Sequence, residues 1–243
     1  MNPVIEQMLA HRSIRKFTDD PVHEADIAAA IEAGQMASTS GGIQSYSVLR
    51  IREPDALDQL VELSGGQTKV RRCGAFFVIC GDTRRHRLLA EQRDEVYDTR
   101  LEAFLLATVD ASLFAQNMAL AFESMGYGIC YIGGLRNDLP GVQRVLGCPE
   151  GIYPLFGMCT GRPADEPISR PRIALGGVLL EERYPDDQTM LDELEAFDAV
   201  MLQYYRERGA GDRIWSQEMV EKFATPRRTN LASYYRSQGA NLE

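Results

Sequence analysis

The 243-residue sequence is poor in the residues that build metal centres and disulfide frameworks, with five cysteines and three histidines. The cysteines are Cys73, Cys80, Cys130, Cys148 and Cys159. No CxxC pair occurs, and no histidine stands beside a cysteine at zinc-ligand spacing. Cys80, Cys130 and Cys159 each lie in an apolar run, so they read as small buried hydrophobes. Basic charge is also short: 26 Lys and Arg stand against 35 Asp and Glu, for a net charge of −9. That excludes general binding to nucleic acid or to an anionic membrane, which requires a basic face, but leaves room for a local basic pocket. No unbroken apolar run approaches the ~20 residues of a bilayer crossing. The first residues are acidic or neutral where a secretory signal would be basic, so the expected location is cytoplasmic. There is no GxGxxG after a first strand, no Walker lysine motif, no HExxH and no Ser-His-Asp order. Repeats and low-complexity tracts are absent as well.

What is present is an ordinary globular composition, 44% hydrophobic, enough for one large core. One domain over residues 1–243 is expected, and the more polar stretch from about 181 onward reads as an excursion or arm. Asn2-Pro3 predicts a capped helix start, with Ile5, Met8 and Leu9 on one face. Helices are predicted over 24–37, 54–63, 100–125, 139–146, 190–205, 213–223 and 228–238. Strands are predicted over 47–52, 75–80, 129–132 and 153–160. The 100–125 stretch is apolar around more than half its circumference, which suits a core helix or one set against a partner subunit. Residues 161–172 hold three prolines and no periodicity, so they predict an extended loop.

The chemistry concentrates in His11-Arg12-Ser13-Ile14-Arg15. Two guanidinium groups, a hydroxyl and an imidazole within five residues are what a phosphate dianion requires. Arg170-Pro171-Arg172 is a second basic pair. Each pair is equally compatible with a solvated surface. Ser38 to Gln44, with Gly41-Gly42, is a small-residue loop whose backbone could approach a ligand, or a flexible helix exit. Gly133-Gly134 after an apolar strand could admit a planar ligand or simply turn the chain. From residue chemistry alone, the sequence is that of an anion-binding protein of mixed α and β structure.

Five segments carry a resemblance that goes further. HRSIRKFTDDPV at 11–22, SGGQ at 64–67, DASLFAQNMALAFESMGYGICYIGGLRND at 110–138, YPLFGMCTGRPAD at 153–165 and SRPR at 169–172 resemble the nitroreductase superfamily. The likeness is to its group A oxygen-insensitive NADPH nitroreductases and their flavin reductase relatives. It implies an α+β fold, a mixed central sheet wrapped by helices. It also implies an obligate homodimer with cofactor sites at the subunit boundary and a C-terminal extension reaching the partner. The implied cofactor is non-covalent FMN. NADPH, or NADH in its place, would deliver hydride to the flavin and leave before a small-molecule oxidant takes two electrons. Nitroaromatics, quinones and free flavin are the implied oxidants. A dedicated NADPH-FMN reductase is the nearest alternative, and a non-catalytic flavin sensor or store is the alternative outside enzymes.

Carried over by position, the resemblance assigns His11, Arg12, Ser13, Arg15 and Arg172 to the FMN phosphate and nearby atoms. Arg15 or Arg170 could instead stand at the pyrimidine edge. Ser38, Thr39, Ser40, Gln44 and Gln67 would meet ribityl or ring polar atoms. Tyr131, Ile132, Gly133, Gly134 and Leu135 would cover one flavin face. Gly41, Gly42, Arg208 and Arg228 fall at positions tied to substrate or NADPH. No side chain is expected to act as catalytic acid or base, and no metal is expected. Two departures stand out. Arg170 replaces a frequent lysine, and Gly41-Gly42 replaces larger pocket-lining residues, which predicts a more open mouth.

Overall fold

The buried strand β2, Ala75–Asp82, splits the main core in two. Every one of its residues is buried, and its side chains alternate between two clusters as a strand's period of two requires. Phe77 and Ile79 enter one cluster, whereas Phe76, Val78 and Cys80 enter the other. The computed structural model describes residues 2–243. Their fold divides into two compact units, residues 2–167 with 228–243, and residues 168–227.

In the larger unit, β1 (Tyr46–Ile51), β3 (Gly128–Ile132) and β4 (Ile152–Gly161) join β2 in the order β1-β2-β4-β3. All three pairings are antiparallel, with Val48 opposite Ile79, Val78 opposite Gly157 and Cys130 opposite Cys159. This corrects the expectation of a mixed sheet for the described residues. Parallel pairing is confined to a single bridge, Ser13 to Ile129. The chain touches the β3 edge there for one residue only, before Thr18 N–H turns it to the Arg162 carbonyl.

The helices cover both faces. α1 (Pro3–Leu9) starts where Asn2 Oδ1 accepts the Val4 N–H, the cap and proline arrangement that the sequence predicts. α2 (Glu24–Gln35) packs on the long α6 (Leu101–Ser124) on one side of the sheet. α3 (Pro54–Leu63), α4 (Lys69–Arg72) and α7 (Leu139–Leu146) contribute Leu57, Leu60, Val70 and Val142 to the cluster on the other side. α5 (Arg84–Gln92) is charged and has no buried residue, and α10 (Leu231–Ser237) returns Tyr234 and Tyr235 to the main core. The smaller unit has its own cluster. Phe197, Met201, Tyr204 and Tyr205 of α8 (Asp187–Glu207) meet Trp215 of α9 (Trp215–Ala224).

α6 is the element around which the larger unit is built. Ala107, Asp110, Ala111, Phe114, Ala115, Met118, Ala119 and Phe122 are its buried positions, at helical spacing. By length and composition it could cross a bilayer, although the sequence holds no unbroken apolar run of that length. Its inward face instead packs on this protein's sheet and on α2. Four of the five cysteines are buried and Cys73 is half-buried, as expected of small hydrophobes, and burial pushes the Cys130 and Cys159 thiols up.

The Phe114 ring is 1% exposed and stacks on Tyr46 with centroids 4.6 Å apart. Phe114→Ala is expected to cost about 3–5 kcal/mol through the cavity it leaves, read as a lower urea midpoint at unchanged slope. A change below about 1 kcal/mol would show that α6 is not keyed to β1 through this ring.

Candidate functional site

The sheet edge formed by β3 gathers the sequence segments singled out above. Ile14 N–H donates to the Ile129 carbonyl at 2.9 Å, and Ser13 bridges Ile129. Gly128 makes this approach possible, because a Cβ there would lie 2.7 Å from Ile14 Cβ. The 11–15 stretch is thereby fixed beside the strand that carries Tyr131. His11 Nδ1 shares a 2.6 Å hydrogen bond with Glu123 Oε1 of α6. Arg12 donates to Glu166 at 2.9 Å and to the Pro167 carbonyl at 3.3 Å. Arg15 is exposed and reaches back to the Ser13 carbonyl at 3.3 Å.

The end of β3 meets a second segment. Residues Gly133–Asn137 form a 3-10 turn, and Gln67 packs against it, donating from Nε2 to the Ser64 carbonyl at 3.0 Å. A Cβ at Gly134 would collide with both the Gln67 amide and that carbonyl. Glycine is required because backbone and amide are in direct contact. Ile132 and Leu135 are 0% exposed, so a ligand there can meet only their backbone. Tyr131 is more accessible, with its ring edge-on to Phe156 and its hydroxyl donating to the Ala115 carbonyl of α6 at 2.9 Å. Burial around that hydroxyl pushes the phenol well above its usual range.

The small-residue loop is ordered by a group that the sequence reading passed over. Asp110 of α6 accepts the Ser40 N–H at 2.9 Å, the Ser40 hydroxyl at 3.1 Å and the Ser45 N–H at 3.0 Å. Ser38 is exposed and Thr39 half-buried. Gly41, Gly42 and Gln44 all adopt positive φ, at 55°, 78° and 50°. The first two are exposed, with open space where a side chain would stand. The signals for Asp110 and Glu123 were there to be read. Both are acidic residues inside a helix otherwise chosen for apolarity, and a buried charge persists only with partners.

Of the remaining predicted residues, Arg228 donates to Asn137 Oδ1 at 3.0 Å, beside the end of the 3-10 turn. Arg170, Arg172 and Arg208 belong to the smaller unit. Arg172 donates to the Arg170 carbonyl at 2.7 Å. Burial pushes the Tyr205 phenol up, and the nearby Arg170 charge opposes that shift. Arg208 lies over the Tyr204 ring at 5.3 Å and donates to its hydroxyl at 3.1 Å.

A hollow of about 650 Å³ opens beside the 11–15 stretch, lined in part by Gln7, His11, Arg12, Glu123, Tyr127 and Glu166. Its size is that of a small-molecule site. It does not extend to the 38–44 loop, Gln67 or the 131–135 segment. Glu123 is 8% exposed at its side chain, and its Oε2 has no hydrogen-bond partner among the described residues. The chemistry of the donor set fits FMN: two guanidinium groups, an imidazole and a hydroxyl for a phosphate, and an amide against a glycine backbone for a polar ring edge.

Gly134→Ala is expected to displace the Gln67 amide and weaken FMN binding at least about tenfold, the scale of one lost hydrogen bond. Fluorescence titration of the apoprotein reads this directly. Unchanged affinity would remove Gln67 and the 3-10 turn from the cofactor site.

Residues 8–162 match the Nitroreductase family, and residues 170–243 match the Nitroreductase family, C-terminal domain. The chain is 39% identical over 247 residues to an FMN reductase (NADPH) of Bacillus subtilis, covering 99% of each. It is 37% identical over 245 residues to the oxygen-insensitive NADPH nitroreductase of Salmonella typhimurium, covering 98% of each. The solved structure of B. megaterium NfrA1 superposes with a TM-score of 0.95 at 40% identity, over 98% of this chain and 99% of that one. With both of its segments matched, and full-length relatives above 30% identity, this chain belongs to the nitroreductase family.

Proposed function

We propose that this protein is an FMN-dependent NADPH oxidoreductase that reduces small oxidants: free flavin, quinones or nitroaromatics. One observation carries the site assignment: the 11–15 stretch, the 133–137 turn and Gln67 all gather at one edge of the sheet, along and just past β3. FMN, when bound, supplies the ring that accepts hydride from the nucleotide and passes two electrons to the oxidant. The chain's own residues bind and orient. Arg12, Arg15, His11 and Ser13 would hold the phosphate, with Arg12 exchanging its contact to the exposed Glu166 for the anion. The Gly133-Gly134 backbone and the Gln67 amide would take the ring's polar edge, and Ser38, Thr39, Ser40 and Gln44 the ribityl side. Arg170 and Arg172 would add charge to phosphate or ring, and Arg208 and Arg228 would meet the nucleotide. Hydride transfer requires no acid or base from the protein, so no side chain is named as one.

We also propose that the active form is a homodimer. Leu101, Leu105, Val109 and Leu113 recur every four residues along α6 and are 42–49% exposed. Val4, Ile5, Met8 and Leu9 of α1 are exposed as well, and α1 contacts α6. So much accessible apolar surface marks an interface. A second copy is the occupant that the family supports. The wild type is expected to sediment at twice the 27.2 kDa chain mass, and Leu105→Glu with Val109→Glu to shift it toward monomer and release FMN. A wild type that sediments as a monomer at micromolar concentration would contradict this.

The activity is tested by anaerobic mixing of the yellow holoenzyme with NADPH, followed by free FMN or a nitroaromatic. Rapid bleaching and then recovery of the flavin spectrum is expected, with relative turnover separating flavin reductase from nitroreductase. Yellow protein that neither NADPH nor NADH bleaches would instead make it a flavin store or sensor.

A further inference from the structure

A carboxylate taken out of water needs partners for its oxygens and a charge to answer its own. Glu123, near the C-terminal end of α6, has one hydrogen bond, shared by Oε1 with His11 at 2.6 Å. Its Oε2 is buried without a partner among the described residues. An ionised carboxylate only accepts, so the shared hydrogen belongs to His11 Nδ1. That leaves Nε2 as the ring's other polar atom. Among the described residues Nε2 has no hydrogen-bond partner, and the imidazole lines the hollow beside the 11–15 stretch. The other charged groups around it are engaged elsewhere. Glu166 takes Arg12 at 2.9 Å, and Asp165 stands 3.6 Å from Lys16. Arg15 turns to the Ser13 carbonyl. The Tyr127 hydroxyl donates to Asp26 at 2.6 Å, and Arg162 lies over the Tyr127 ring. From α1 the hollow receives the uncharged Gln7. Of the groups lining the hollow, only His11 bonds to Glu123.

We infer that Glu123 is a positioning residue for the cofactor's phosphate, acting through His11, and that the cofactor is taken up together with a proton. The carboxylate holds the imidazole by Nδ1–H and leaves Nε2 for the anion. Phosphate binding then draws one proton from solvent onto Nε2, which donates to the phosphate. This rests on the proposed placing of the phosphate at residues 11–15. Coulomb's law alone gives Glu123 the opposite role, because an anion beside an anion site weakens it. The two effects separate with pH. Where the free imidazole is neutral, the adjacent carboxylate favours the charged ring more than it repels a phosphate on the ring's far side. Where the imidazole is already charged, only the repulsion is left.

The test is calorimetric titration of the apoprotein with FMN at about pH 8, where a phosphate monoester is already a dianion and a free imidazole is largely neutral. Comparing buffers of different ionisation enthalpy counts the protons taken up. The wild type is expected to take up more than about half a proton per FMN, and His11→Gln to abolish the uptake. Glu123→Gln keeps an acceptor for Nδ1–H but loses the charge. Its Kd for FMN should rise about tenfold at about pH 8, the scale of one charge-assisted hydrogen bond, yet match or fall below the wild-type value at about pH 6. Uptake near zero in the wild type, or uptake that survives His11→Gln, overturns the inference. So does a Glu123→Gln protein whose Kd is unchanged at the higher pH, or raised equally at both, the mark of a merely structural role. If Glu123→Gln does not fold, the proton counts of the wild type and His11→Gln decide. A wild type that binds no FMN would instead sink the functional proposal beneath it.

Discussion

One helix makes contact with three of the segments proposed to hold the cofactor. Asp110 of α6 takes the loop at Ser40 and Ser45, the Ala115 carbonyl takes the Tyr131 hydroxyl, and Glu123 takes His11. These contacts are spread over nearly four turns of an element whose inward face is otherwise alanine, phenylalanine and one methionine. The small side chains let the sheet and α2 come close, and the aromatics lock the register. Phe114 stacks on Tyr46, and Phe122 meets Phe77 with centroids 5.9 Å apart. A rigid helix with polar contacts at fixed intervals converts core packing into placement of surface loops.

The remaining placement comes from close backbone approach. Gly128 lets Ile14 lie on β3, and Gly134 lets the 3-10 turn lie on Gln67. Neither glycine has positive φ, so its role is space and not conformational freedom. The opposite holds at Gly41 and Gly42, where φ is positive and the space is open. Two glycine pairs in one chain thus do different work. Gly128 and Gly134 bring segments together, and Gly41 and Gly42 leave room.

Much of this was legible in the sequence. The Asn2 cap, the 54–63 and 139–146 helices and the buried β2 run follow from capping, proline placement and apolar continuity, all local properties. Sheet direction was not local. The expectation of a mixed sheet came from resemblance; the four strands pair antiparallel, and among the described residues parallel contact is one residue wide, at Ser13. The candidate site divides the same way. The motifs at 11–15, 67 and 131–135 were visible, and the fold brings them to one edge of the sheet. The supports at Asp110 and Glu123 went unseen because residues were read for what they could offer a ligand, and these two face other protein groups. At Ile132 and Leu135 a motif position says nothing about which way a side chain points. Their side chains are core.

The most direct measurement is a crystal structure grown with FMN in excess. The account requires the phosphate on Arg12, Ser13 and Arg15, with the ring edge at Gln67 and Gly134 and the Asp110 bonds to Ser40 and Ser45 intact. A flavin bound elsewhere, with the 11–15 guanidinium groups still on Glu166 and the Ser13 carbonyl, would contradict it.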